Sequence, residues 1–185
     1  MDKPKAEKAV RELLLALDQN IESEGLRDTP TRVAEMYIEQ CTDGNAELDV
    51  IFKQLTYDGM VIVRDIPFMS YCEHHLLPYY GRAHIAYIPR KRVLGLSKLA
   101  RLTYSCSRGF TIQESVTEAV ANRLYDEVEP LGCMVVIEAE HGCMNLRGAK
   151  SVGSSTVTSV VRGVFRDVPA ARSEFLGLVS KGGPR

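Results

Sequence analysis

The sequence predicts an α+β fold, and three observations carry that expectation. Some segments repeat apolar residues at helical spacing, while others are β-branched and aromatic runs. Their order is two helices, two strands, two helices, two strands and one helix, which makes hairpin-like strand pairs rather than regular βαβ alternation. No repeat, low-complexity tract or long linker interrupts the chain. A helical N-terminal extension over residues 1–58 and one compact unit over 59–185 are therefore expected.

Each element has its own signal. Ala6, Ala9, Val10, Leu13, Leu14 and Leu17 recur at three- and four-residue spacing with charges between them, predicting a first helix in a region that Gly25 closes. Thr29-Pro30 predicts a second helix, with Thr29 as its cap, Pro30 in its first turn, and Val33, Met36 and Tyr37 as its apolar stripe. A loop is expected around Asp43-Gly44-Asn45. The runs Met60–Val63 and Ala83–Ile88 read as strands. Between them, Ser70-Tyr71-Cys72-Glu73-His74-His75 reads as a turn crowded with ligand-type side chains. Helices are expected over Ser97–Tyr104 and Ile112–Val128, the second lined by Ile112, Val116, Ala119, Val120 and Leu124. Strands over Cys133–Ala139 and Ser155–Phe165 follow, and a closing helix begins near Pro169.

Composition narrows the function classes. The 185 residues suffice for a hydrophobic core, and 45% hydrophobic with 25% charged residues is ordinary for a soluble globular protein. A formal net charge of -1 exerts no bulk pull on nucleic acid or anionic membrane, so an anionic substrate needs a local basic cluster. No apolar run reaches the roughly 18 residues of a membrane span. Met1-Asp2-Lys3-Pro4-Lys5 leads into a charged stretch without the apolar core of a signal peptide. The odd count of five cysteines (Cys41, Cys72, Cys106, Cys133 and Cys143) argues against a disulfide framework and for a reducing, cytoplasmic setting.

Two clusters carry ligand chemistry. Cys72, His74 and His75 fall within four residues, and His141 with Cys143 forms the second group. Zinc favours thiolate and imidazole, and catalytic zinc keeps three protein ligands and an open position. Cys72 and His75 are three apart, so one turn can aim both at a single ion, and Cys143 would complete a Cys₂His set. That leaves His74 and His141 for proton transfer. The alternative is a closed structural zinc site, which has little need of two spare histidines. Cys41, Cys106 and Cys133 read as small buried hydrophobes.

Anion-binding and base-reading elements are weaker individually. Gly95-Leu96-Ser97-Lys98 enters a helix with Ser97 as its cap and Lys98 in the first turn, either an anion site or a capped surface helix. Arg101, Arg147 and Arg32, if converged with Lys98, can hold a triphosphate through forked guanidinium contacts; singly, each is a solvated charge. Gln113-Glu114 opens the next helix, where a carboxylate can take two N–H bonds from a guanine edge or simply favour the helix start. Ser154–Ser159 alternates small hydroxyls, as a polar lining or a half-exposed sheet face.

As an ordered set, these motifs resemble the zinc-dependent GTP cyclohydrolase I family. The matching pieces are Cys72-Glu73-His74-His75-Leu76-Leu77-Pro78, Ala86-Tyr87-Ile88-Pro89, Gly95-Leu96-Ser97-Lys98 with Arg101, Gln113-Glu114, His141-Gly142-Cys143-Met144 with Arg147-Gly148, and Thr156-Val157-Thr158 running to Gly163-Val164-Phe165. Upstream, Gly25 to Ala34 is similar as well. The resemblance implies a tunnelling fold, an antiparallel sheet with helices packed on one face. It implies hydrolytic opening of the guanine imidazole ring of GTP, release of formate and rearrangement to 7,8-dihydroneopterin triphosphate, the first step of tetrahydrofolate or related pterin biosynthesis. By the same resemblance, Cys72, His75 and Cys143 hold Zn2+, and His74, His141 and Ser97 are catalytic. Gln113 and Glu114 read guanine, and Lys98, Arg101, Arg147 and Arg32 bind the triphosphate. A homodecamer with sites between subunits is implied, with Arg32 serving a neighbour's site. The chain departs from the family at Ser107-Arg108-Gly109-Phe110-Thr111, where an Ala-x-Arg-x-Gln stretch is usual.

Overall fold

The computed structural model of the chain describes residues 1–42, 44, 46–48, 50–52 and 57–180, with 50–52 described by backbone alone. The loop expected around Asp43-Gly44-Asn45 lies largely outside the described residues. Contacts divide the chain into two compact units, Met1–Asp43 and Gly44–Arg185.

The first unit contains α1 (Lys3–Ala16) and α2 (Thr29–Cys41). Asp2 caps α1 by accepting from the Lys5 amide at 3.0 Å. Lys3 Nζ ties the two helices together through Glu35 Oε1 at 2.7 Å. The cap residue of α2 is Asp28, not Thr29; the Thr29 hydroxyl turns back and donates to Gly25 O at 3.3 Å. Along α1, Ala6, Val10 and Leu14 are half-buried. Leu13 and Leu17 of the expected stripe stay 58% and 59% exposed.

The second unit runs, in chain order, β1 (Val50–Phe52), β2 (Val61–Cys72), β3 (Pro78–Ile88), β4 (Val93–Leu94), α3 (Leu96–Cys106), β5 (Phe110–Thr111), α4 (Gln113–Val128), β6 (Gly132–His141), α5 (Gly142–Asn145), β7 (Thr156–Gly163), α6 (Val164–Asp167) and α7 (Pro169–Ser180). The main sheet has the order β5-β2-β3-β6-β7 and is antiparallel except where β5 joins β2 in parallel. β1 and β4 form a separate antiparallel pair.

Strands β2 and β3 extend beyond the runs that announced them. Ser70, Tyr71 and Cys72, expected in a turn, finish β2: Ser70 and Tyr71 pair with Tyr79 and Pro78, and Cys72 with Thr111 of β5. Cross-strand pairing outweighs their modest local preference. At the other end, β7 stops at Gly163 (φ +54°), so Phe165 enters α6 instead of a strand. The cap of α3 is Gly95, and Ser97 is exposed in the first turn rather than capping it.

Alternation along the strands separates two apolar layers. Ile85, Tyr87, Val135 and Ile137 pack with Leu99 and Leu102 of α3 and Val116, Val120 and Leu124 of α4. Each such buried side chain contributes about 1.5–3 kcal/mol of transfer free energy. Ala86, Met134 and Val136 face the other way, where Phe165 and Phe175 cover them. Thus α3 and α4 share one face, as expected, and the short α6–α7 pair adds cover to the other. Gly81 lets β3 and β6 approach closely, because a Cβ there would overlap Glu138 O and lie 2.6 Å from Ala139 Cα.

Candidate active site

The site forms where three strand ends meet. Cys72 is the last residue of β2, and its amide donates to Leu77 O at 2.9 Å across the β2–β3 turn. The Cys72 carbonyl accepts from the amides of His75 (3.3 Å) and Leu76 (2.8 Å), which curls the turn over the thiol. Leu76 takes a left-handed φ of +55°, a conformation that costs a non-glycine residue about 1 kcal/mol or more and is held by that short bond. Register does the rest. β3 pairs with β6 so that Tyr79 lies opposite His141, and α5 starts directly after, carrying Cys143 to the β2–β3 turn.

The donor atoms of Cys72, His75 and Cys143 all lie within 4.8 Å of one another. Cys72 Sγ is 3.8 Å from His75 Nδ1. A tetrahedral zinc with the usual bond lengths needs ligand–ligand edges of about 3.6–3.8 Å, so the set fits the ion in both donor type and spacing. Burial and the neighbouring Cys72 push the Cys143 thiol up, a cost that a bound cation removes by taking the thiolate. His74 Nδ1 lies 3.9 Å from Cys72 Sγ, but its side chain is 65% exposed and its Nε2 faces Glu73 Oε1 at 3.6 Å.

Beside this cluster, the His141 ring stacks on Tyr79 with centroids 4.8 Å apart and planes 7° from parallel. Burial holds the His141 imidazole below its ordinary pKa, and Glu114 pulls the other way. Tyr79 is fully buried, and its hydroxyl lies 2.6 Å from Thr111 Oγ1, which in turn meets Ser70 Oγ at 2.8 Å. Thr111 belongs to the segment that departs from the family pattern. Its strand pairing with Cys72, and the 3.2 Å bond from the Glu73 amide to Thr111 O, make it the floor of the turn. Composition alone gives Thr111 no functional signal; only the parallel β5–β2 pairing reveals it.

The chain belongs to the GTP cyclohydrolase I family. A model of that family, described as GTP cyclohydrolase I, matches residues 6–180. The GTP cyclohydrolase 1 of Pelotomaculum thermopropionicum is 50% identical over 183 residues, covering 96% of this chain and 97% of that protein. That of Streptococcus agalactiae is 49% identical with the same coverage, and that of Bacillus subtilis is 46% identical over 180 residues, 95% of each. Among solved structures, the apo form of the archaeosine synthase QueF-Like is similar at 16% identity and a TM-score of 0.49, covering 58% of this chain and 97% of that one. That likeness is too slight to bear on chemistry.

Against the expected family site, the fold brings Cys72, His75, Cys143, His141 and Gln113 together. It also brings Arg147, whose Nη1 donates to His75 Nε2 at 2.7 Å. Glu114 is exposed on the first turn of α4, close enough for its charge to act on His141. Ser97, Lys98 and Arg101 lie on the first turns of α3; Ser97 and Arg101 are exposed, and among the described residues their side chains engage no hydrogen bond or ion pair. Arg32 lies in the first unit, paired with Asp28 at 3.4 Å. Gln113 is 1% exposed, and both ends of its side-chain amide are bound within the protein.

Proposed function

We propose that the second unit catalyses the GTP cyclohydrolase I reaction with zinc held by Cys72, His75 and Cys143. The reaction opens the guanine imidazole ring of GTP, releases formate and yields 7,8-dihydroneopterin triphosphate, which feeds tetrahydrofolate or a related pterin. The observation that carries this reading is the convergence of two thiols and an imidazole beside His141, in a chain of this family. Zinc at this position supplies activation of water near neutral pH.

The chain's own residues supply the rest. His141 and His74 hold and deliver protons at the ring nitrogen and, after the ring opens, at the ribose, with Ser97 assisting there. A histidine is suited to both directions near neutrality. Glu114 accepts the paired N–H groups of the guanine edge. Lys98, Arg101, Arg147 and Arg32 hold the triphosphate in ground and transition states alike, so their loss raises KM more than it lowers kcat.

The active assembly is a homodecamer with sites between subunits, in the cytoplasm, without nucleic acid or membrane partners. Leu13 on α1 and Leu17 at its C-cap, 58% and 59% exposed, support self-association. So does β7, an edge strand of the sheet bearing Val157 at 61% exposure. Among the described residues, no helix is long and apolar enough to cross a membrane.

Zinc-loaded protein incubated with GTP, then oxidised and assayed for neopterin fluorescence, tests the reading. A GTP-dependent signal that chelation abolishes and zinc restores supports it. Bound zinc without neopterin or formate overturns it.

A further inference from the structure

The Gln113 amide lies in a hydrogen-bond network whose every direction can be worked out. Its Nε2 is 3.0 Å from each of three acceptors: Ile137 O, Thr156 O and Thr158 Oγ1. Two of these are backbone carbonyls, which only accept, so the amide nitrogen and not the oxygen must face them. Gln113 Oε1 then points at His141 Nε2, 2.8 Å away. An amide oxygen has no hydrogen to give, so the hydrogen in that bond belongs to the histidine.

The threonines close the network. Thr117 Oγ1 donates to Gln113 O at 2.7 Å, which uses its single hydrogen. Its 2.6 Å contact with Thr158 therefore runs from the Thr158 hydroxyl to Thr117. The Thr158 oxygen is left to accept from Gln113. Thr117 is fully buried and Gln113 1% exposed, so water does not compete for these groups.

From this geometry we propose that Gln113 is a positioning residue: it keeps a hydrogen on His141 Nε2, so that the ring exchanges protons with substrate through Nδ1 alone. The proposal rests on the cyclohydrolase reading for what His141 does, but not for how it is held. Tyr79 fixes the plane of the ring by stacking, and Gln113 fixes its rotation and tautomer. The base-reading task then falls to Glu114, the exposed neighbour on the same turn.

Solid-state ¹⁵N NMR of the zinc-loaded protein, labelled in its histidine rings, reads the tautomer without turnover. The His141 resonances are assigned by their loss in His141→Ala. A hydrogen on Nε2 is expected; a neutral ring protonated on Nδ1 alone overturns the proposal. In Gln113→Met, His141 should populate both tautomers. Its kcat should fall by about 100-fold, the scale of a misplaced catalytic group, with zinc content and the KM for GTP little changed. A raised KM with kcat retained would return Gln113 to substrate binding and overturn the assignment. If that variant fails to fold, the spectrum of the unaltered protein still decides. A failure of the unaltered protein to make neopterin sinks the proposed function and leaves the tautomer result standing, so the two failures are distinguishable.

Discussion

At the scale of single residues, the metal cluster joins groups that burial alone disfavours. Desolvation and the neighbouring Cys72 thiol push the Cys143 thiol up, a cost that a bound cation would remove. Cys143→Ser should lose bound zinc and neopterin formation together, with the fold retained by circular dichroism; zinc retained at the parent stoichiometry would exclude Cys143 as a ligand. Arg147 is a donor without acceptor capacity, and it now donates to His75 Nε2. Ligation through Nδ1 places the hydrogen on Nε2, where it meets that donor head-on. In the proposed site, metal and Arg147 would therefore compete for His75, and zinc binding would free Arg147 for the triphosphate. In Arg147→Ala, competition with a chelator should show zinc held several-fold more tightly while the KM for GTP rises. Looser zinc binding would mean that Arg147 supports the ligand instead of competing with it.

At the scale of elements, the β2–β3 pair contains a pH-sensitive irregularity. The register shifts between Val63 and Ile66, Asp65 adopts a φ of +60°, and its amide donates to His84 Nδ1 at 3.2 Å. That bond needs a neutral imidazole. Burial lowers the His84 pKa below its ordinary value; Asp65 and Glu138 pull it up, and Arg82 and Arg64 push it down. A depressed histidine stabilises the fold fully above its unfolded value of about 6.5, and that contribution is lost as pH falls through the lower folded value. Arg64 beside it donates to Leu178 O at 2.9 Å, so the bulge also anchors α7. Replacing His84 with Asn keeps an acceptor near Nδ1 and removes the titration. Thermal midpoints measured between pH 7 and pH 5 should therefore fall less steeply in His84→Asn than in the parent. Equal slopes would assign the acid sensitivity to other groups.

At the scale of the whole molecule, exposed leucines and an edge strand remain on a chain of 20.6 kDa. Light scattering should report ten times that mass for the active species. If Arg32 serves a neighbour's site, mixed oligomers of Arg32→Ala and Cys143→Ser should recover part of the activity that each lacks alone. A monomer with full activity, or mixed oligomers as inactive as either parent, would remove the shared-site arrangement.

The sequence by itself determined the element order, the α+β class and the family, because each rests on short-range periodicity or on motifs that keep their order along the chain. It also suggested Cys72, His75 and Cys143 as one ligand set, and the fold brings their donor atoms within 4.8 Å of one another. Tertiary structure decided how those residues are held. Ser70–Cys72 became strand and not turn because β3 and β5 lie beside them. Asp28 and Gly95 took the cap positions expected of Thr29 and Ser97, because α2 begins one residue, and α3 two residues, earlier than the sequence suggests. Thr111 and Gln113 acquired their roles only when β5 met β2 and α4 met β6 and β7. Those partners lie 24 to 45 residues from Gln113 in the chain, and no local pattern encodes a hydrogen bond across such a distance.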